Sequence, residues 1–284
     1  MIDDRPARPG PSVETRIVSV ESGAATPQYD RVATEEPLEI RMRAGGNSRT
    51  VAITMRTPGN DFELAAGFLH NEGILGGFSA LHGMSYCLDG SVSEDQQYNI
   101  VNVDLAASEL PALDAFERHF TMTSACGVCG RAQLEALEER GLTPVAAGPQ
   151  VAAATLITLP QSLRAAQGIF EKTGGLHAAG LFSPEGELIA VREDVGRHNA
   201  LDKLIGWALM ERRLPLERFV LVVSGRSSYE IVQKAVVARI PIVCAVSAPS
   251  SLAVAVARRF GLTLVGFLRA QRFNIYAGEQ RLSA

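Results

Sequence analysis

Phe219-Val-Leu-Val-Val223, Tyr229-Glu-Ile-Val-Gln-Lys-Ala-Val-Val237, Ile242-Val-Cys-Ala-Val246, Leu252-Ala-Val-Ala-Val-Ala-Arg-Arg-Phe260 and Leu262-Thr-Leu-Val-Gly-Phe-Leu268 follow one another with short turns between them. The first, third and fifth are short apolar runs, the pattern of strands buried on both faces. The second and fourth carry apolar residues at helical spacing. A β-α-β-α-β series of this kind predicts a parallel sheet with covering helices. Gln271-Arg-Phe-Asn-Ile-Tyr276 reads as one more strand.

Upstream, Leu163 to Glu171 reads as a helix, and Gly174-Gly-Leu-His177-Ala-Ala opens a short strand. Ser183-Pro-Glu-Gly186 turns the chain into a second strand, Glu187 to Val191. The polar run Arg192-Glu-Asp-Val-Gly-Arg-His-Asn199 feeds a helix over Ala200–Met210. Nearer the N-terminus, Leu38, Ile40 and Met42 alternate with polar residues, as do Val51, Ile53 and Met55, with Ala44-Gly-Gly-Asn-Ser48 between them: a hairpin. Asn60 or Asp61 caps a helix with Phe62, Ala65, Phe68 and Leu69 on one face, and Tyr98 to Leu105 is another strand. Residues 1 to about 30 lack periodicity and read as a mobile arm with a short strand at Thr15–Val20. The expected organisation is that arm, a smaller mixed α+β domain over 31–150, and an α/β domain over 151–284 with a mostly parallel sheet.

The totals narrow the function. The chain has 284 residues, 46% apolar and 20% charged, with a net charge of −4. That is an ordinary globular composition, with no global attraction for nucleic acid or an anionic membrane. No apolar run reaches the roughly 20 residues that span a bilayer. Met1 to Gly10 has no apolar signal core. Four cysteines, two of them in one Cys-x-x-Cys, make no disulfide framework in a chain this long, so a reducing cytoplasm is expected.

The reactive stretch is Thr123-Ser-Ala-Cys126-Gly-Val-Cys129-Gly130, directly before a helical pattern with Leu134 and Leu137 on one side and Glu135, Glu138, Glu139 and Arg140 on the other. Amides at a helix start stabilise a thiolate, and Gly127 and Gly130 leave both sulfurs uncrowded. Zinc needs two more ligands, but Cys87 and Cys244 lie far away in structural settings and no His-x3–5-His pair exists. An iron–sulfur cluster lacks its third and fourth cysteines for the same reason. A thioredoxin-type pair follows a strand early in a βαβ unit, without these surroundings. Sulfur transfer remains, with one thiolate holding a sulfane sulfur as a persulfide.

A second constellation lies in the α/β part. The turns Ser224-Gly-Arg-Ser-Ser228 and Ser247-Ala-Pro-Ser-Ser251 sit at the carboxyl ends of parallel strands, where open α/β sheets bind ligands and helix amides are free. Arg226, Ser227 and Ser228 suit phosphate, and Arg269 and Arg272 end the third strand at the same edge. The bland alternative is serines that cap helices and arginines that solvate a surface. Asp194 and His198 would raise the histidine pKa if they meet on one turn. His177 occupies a turn of its own. Asp202 and Lys203 read as helix-surface charges, and Trp207 as core.

Several segments together resemble the FdhD family of formate dehydrogenase accessory sulfurtransferases. They are Cys126-Gly-Val-Cys129-Gly130, Thr173-Gly-Gly-Leu-His177-Ala-Ala, Glu193-Asp-Val-Gly-Arg-His-Asn-Ala-Leu-Asp-Lys203, Ser227-Ser-Tyr-Glu-Ile-Val-Gln-Lys234, and Leu262-Thr-Leu-Val-Gly-Phe267 with Arg272-Phe-Asn-Ile-Tyr276. The resemblance runs from about residue 30 to the C-terminus. It implies a cytoplasmic homodimer that takes sulfur from a cysteine desulfurase and passes it to the molybdenum cofactor, Mo-bis-molybdopterin guanine dinucleotide. The cofactor then enters the catalytic subunit of a formate dehydrogenase. By resemblance Cys126 carries the persulfide and Cys129 assists. The cofactor-binding segment maps onto Phe267, Leu268, Arg269, Ala270, Gln271 and Arg272, and GDP would mimic the cofactor's nucleotide part. The C-terminal domain is expected to be similar to the three-layer cytidine deaminase fold, without its zinc site: His-x-Glu and Pro-Cys-x-x-Cys are absent. No resident metal, nucleic acid or membrane is implied. Two other readings of the residues stay open: a Cys-x-x-Cys disulfide oxidoreductase, and a chaperone that binds cofactor or apo-dehydrogenase without chemistry.

Overall fold

The structure, a computed structural model, describes residues 8–87, 97–111, 130–269 and 271–283. The chain opens with a long hairpin where an arm was expected: β1 (Ser12–Glu21) pairs antiparallel with β2 (Ala24–Ala33). Ser22 and Gly23 both have positive φ, the two-residue turn whose twist suits a hairpin. The short strand expected at Thr15–Val20 is the middle of β1. Valines fall on both of its faces, which hides the period-2 signal of a half-buried strand.

The first unit is a four-stranded sheet and one helix. β3 (Glu36–Ala44) and β4 (Asn47–Arg56) form the expected hairpin, and α1 (Asp61–Asn71) the expected helix. β5 (Leu81–Tyr86) and β6 (Ile100–Leu105) complete the order β4-β3-β6-β5. Leu38, Ile40 and Met42 are fully buried with Val101, Val103, Leu64 and Leu69, so alternate residues of the strands meet α1. α2 (Gly130–Glu139) follows the cysteine pair, but Leu137 and Val145 pack into the core of the second unit. The 31–150 grouping therefore divides before this helix.

The second unit has three short helices, three longer ones, a six-stranded sheet and a two-stranded one. After β7 (Val151–Ala152) and α3 (Ala153–Leu156), the helix expected over 163–171 is two: α4 (Leu159–Ala165) and α5 (Gly168–Thr173). β8 (His177–Phe182), β9 (Leu188–Asp194) and α6 (Arg197–Met210) follow. Next comes the decisive series of β10 (Val220–Val223), α7 (Tyr229–Val237), β11 (Ile242–Ala245), α8 (Ser251–Arg259) and β12 (Thr263–Arg269), then β13 (Arg272–Ala277). The sheet order is β13-β12-β11-β10-β8-β9. β10, β11 and β12 are parallel as expected. β13 and β8 run against these three, and β9 pairs antiparallel with β8, so the sheet is mixed rather than mostly parallel. The cause is local: β9 follows β8, and β13 follows β12, through tight turns, which join strands antiparallel.

Period-2 alternation makes three layers. Leu221, Val223, Val243, Ala245 and Leu264 meet α6, α7 and α8 on one face, while Val220, Val222, Ile242, Cys244 and Val265 meet α3 and α4 on the other. The two units meet along α1 and α6. Gly67 and Gly206 allow the approach: a Cβ on Gly206 would lie 1.8 Å from the Glu63 carbonyl oxygen, and one on Gly67 1.9 Å from that of Asp202.

Candidate functional site at the carboxyl edge of the sheet

Cys126, Cys129 and Ala270 lie outside the described residues. The helix that begins right after Cys129 is anchored to α8 by Leu137 in the core and by a Glu138–Arg259 ion pair. The thiol stretch therefore leads into the second unit. Cys87 is half-buried at the end of β5; Cys244 is buried in β11, where burial pushes its thiol pKa far up and makes it inert. Among the described residues no group of His, Cys, Asp or Glu could hold a metal ion.

The three ligand-edge segments do come together. Ser227 bridges Pro249, the Ser250 amide donates to the Ser227 carbonyl (3.0 Å), and the Phe267 amide donates to the Ser247 carbonyl (3.0 Å). The two serine turns and the end of β12 thus lie side by side. Phe267 holds φ at +52° in a bulge between Gly266 and Arg269, a cost that surrounding structure must impose on a residue with a side chain. Arg226, Arg269, Gln271 and Arg272 are exposed, and none of the three arginines has a carboxylate partner among the described residues. Leu268, expected at the ligand edge, is instead fully buried in the core between the sheet and α4, because the bulge at Phe267 shifts the alternation of β12 and puts Leu268 on the same face as Val265. The serines divide between the two readings. Ser250 caps α8, accepting from the Ala253 amide (3.2 Å). Ser228 opens α7 without a side-chain cap and meets the His198 ring instead, Oγ to Nε2 3.0 Å. The Ser227 hydroxyl is buried without a partner among the described residues.

Beside this edge opens a cavity of about 610 Å³. Leu163, Phe170 and Leu176 give it apolar walls, and Gln167, His177 and Ser224 supply polar groups. The Arg164 guanidinium lies 3.8 Å over the Phe170 ring. At the back of the turn, a Cβ on Gly225 would meet His177 Nδ1 at 3.3 Å and Arg197 Cδ at 3.8 Å, so these two side chains flank the glycine. Arg197 Nε is buried without a hydrogen-bond partner among the described residues. Burial, then the Arg197 charge, holds the His177 pKa below the ordinary histidine value, against the pull of Asp194. The arrangement offers an imidazole beside an apolar slot, with a buried guanidinium behind the turn, which suits a ring system carrying an anionic group.

The run Glu193 to Lys203 turns out to be mostly scaffold. Glu193 accepts from the Ile169 and Phe170 amides (3.0 and 2.8 Å) and so holds the start of α5. Asp194 does not meet His198. It pairs with Lys203 (2.7 Å) and accepts from the amides of Thr57 (3.1 Å) and Gly196 (2.8 Å). His198, with Glu230 at 3.6 Å, has its pKa lowered by burial, opposite to the expected rise. Asp202 and Lys203 are buried, not surface charges: Asp202 binds Lys234 and Asn71, both at 2.6 Å, and Lys203 reaches the Thr57 carbonyl at 2.8 Å. These bonds join the two units. Gln167 and Phe170 line the cavity without any local signal in the sequence, because only the folded chain brings the end of α4 and the start of α5 to this edge.

The family model described as FdhD/NarQ matches residues 33–283. Relatives named "Sulfur carrier protein FdhD" include those of Streptomyces avermitilis (50% identical, covering 94% of each chain), Mycolicibacterium paratuberculosis (51%, covering 94% of this chain and 97% of the relative) and Sulfolobus acidocaldarius (42%, 95% and 98%). The crystal structure of a protein described as a formate dehydrogenase accessory protein, from Desulfotalea psychrophila, matches with a TM-score of 0.73 at 25% identity, over 96% of this chain and 99% of that one.

Proposed function

Because this chain belongs to the FdhD/NarQ family, we propose that it carries sulfur as a Cys126 persulfide to the molybdenum cofactor of a formate dehydrogenase. The Cys126 thiolate attacks the outer sulfur of a cysteine desulfurase persulfide. A new S–S bond forms, the donor's S–S bond breaks, and the donor leaves as thiolate. Attack of Cys129 on Cys126 Sγ then releases the carried sulfur as sulfide to the client and leaves a Cys126–Cys129 disulfide. The two electrons that reduce the sulfur come from the two thiols, and a cellular thiol reductant restores them. Mo-bis-molybdopterin guanine dinucleotide is substrate here, not a resident group.

One observation carries the client half: the serine turns and Phe267 lie hydrogen-bonded in a row beside an apolar-walled cavity. Arg226, Ser227, Ser228, Arg269 and Arg272 would hold phosphates there, and the slot with Phe170 a heterocycle. Fixing the ligand by its distant nucleotide part leaves the sulfur-accepting end free, so proximity supplies much of the rate. No helix among the described residues is long and apolar enough to cross a membrane.

The test is intact mass after incubation with a cysteine desulfurase and cysteine, then peptide mapping. One added sulfur on the Cys126–Gly130 peptide, removed by reductant and absent in Cys126→Ala, is expected. A disulfide with no added sulfur would instead support a redox enzyme. Arg272→Ala should weaken GDP binding at least several-fold; unchanged affinity refutes the assignment of that edge.

A further inference from the structure

Gln167 lies between α4 and α5, lines the cavity of about 610 Å³ and is only 4% exposed. Its backbone is satisfied within the chain: its amide donates to the Arg164 carbonyl (3.3 Å), and its carbonyl accepts from the Glu171 amide (3.0 Å). Its carboxamide has no hydrogen-bond partner among the described residues. A polar side chain held out of water without a partner is costly, and one in a cavity wall points to a ligand. We propose that Gln167 reads the base of the bound nucleotide, its carboxamide paired with the N1–H and C6=O edge of guanine. This role rests on the guanine-nucleotide client proposed above and assigns the residue that recognises its base.

A carboxamide sets an acceptor oxygen beside a donor nitrogen in one plane. The lactam edge of guanine sets one donor, N1–H, beside one acceptor, C6=O. Two parallel hydrogen bonds result, from N1–H to Gln167 Oε1 and from Gln167 Nε2 to O6. The 2-amino group takes no part in them. Among the polar side chains of the wall, the Ser224 hydroxyl already accepts from the Ala178 amide (2.9 Å), and Arg164 has only donors. Gln167 is the one that offers both functions side by side.

The surroundings suit a base in this position. Phe170 and the Arg164 guanidinium, stacked at 3.8 Å, both line the cavity and give a flat ring a surface to stack on. Ser224 lines the cavity too and opens the turn that carries Arg226, Ser227 and Ser228, so the base slot runs straight into the phosphate-binding edge. The pterin of the same client has the same lactam edge. Guanine is the end farther from the metal, and seating it here leaves the sulfur-accepting end outside the slot.

The test is calorimetric titration of the full chain. Wild type should bind inosine diphosphate within about twofold of GDP, because hypoxanthine keeps the N1–H and C6=O edge and lacks only the amino group. It should bind 1-methylguanosine diphosphate, which has no N1–H, at least about fivefold more weakly, since a bidentate pair discriminates by roughly five- to 150-fold. Gln167→Leu should weaken GDP by at least the same factor and lose the preference against the methylated base. Equal affinity of wild type for GDP and its 1-methyl analogue, GDP binding untouched by Gln167→Leu, or tighter binding of neopterin than of GDP would each overturn the proposal. A chain that binds no GDP overturns both this role and the nucleotide assignment above. GDP binding weakened by Arg272→Ala but not by Gln167→Leu overturns this role alone.

Discussion

Gly206→Ala separates two effects that predict opposite signs. In an exposed helix interior the change stabilises by about 1 kcal/mol through helix propensity. Here the new methyl would lie 1.8 Å from the Glu63 carbonyl oxygen, 2.7 Å from its carbon and 2.8 Å from the Gly67 amide nitrogen. All three are backbone atoms of α1, so no rotamer relieves the clash. The helices must part by roughly 1.5–2 Å to reach ordinary contact distance. Parting them strains the bonds that cross the same seam, from Asn71 to Asp202 (2.6 Å) and from Arg192 to Glu63 (2.8 Å). Overpacking alone costs about 1–3 kcal/mol, and a weakened buried hydrogen bond about 1–3 more. Net of propensity the loss is about 3 kcal/mol, or about 6–12 °C in Tm for a chain of this size. Urea unfolding and a thermal scan of the full chain measure it. A Tm equal to or above that of the parent would refute the reading of this seam as a backbone contact.

Three further changes test other parts of the structure. Lys203→Met leaves Asp194 buried without its cation and should cost about 3–5 kcal/mol in urea unfolding, most of it recovered when Asp194→Asn is added. His70 has its pKa lowered by burial, and its Nε2 has no partner among the described residues. The unfolded chain therefore takes up that proton first. Stability from this group is full above about pH 6.5 and declines as pH falls toward the folded pKa. His70→Gln should flatten the acid side of the stability profile, and an unchanged slope would count against it. Arg197 lowers the pKa of both His177 and His198, so Arg197→Met should raise both in an NMR titration of the ring protons. Unmoved titrations would refute the placing of the Arg197 charge beside both rings.

What the sequence determined by itself were the features encoded over a few neighbouring residues. The β-α-β-α-β series was legible because each strand is an uninterrupted apolar run and each helix has its own period. The hairpin of β3 and β4 was legible from alternation around two glycines. The two serine turns were legible as an edge because parallel strands send their carboxyl ends to one side. Tertiary structure decided what depends on partners distant in the chain. Asp202 and Lys203 look like surface charges on a helix until Asn71, Thr57, Asp194 and Lys234 surround them. Leu268 is buried next to exposed Arg269, because the bulge at Phe267 turns it toward α4. His198 goes to Ser228 rather than to Asp194, which Lys203 already holds. Local period and turn chemistry act within a few residues, whereas burial and ion pairing are set by whichever elements the fold brings together.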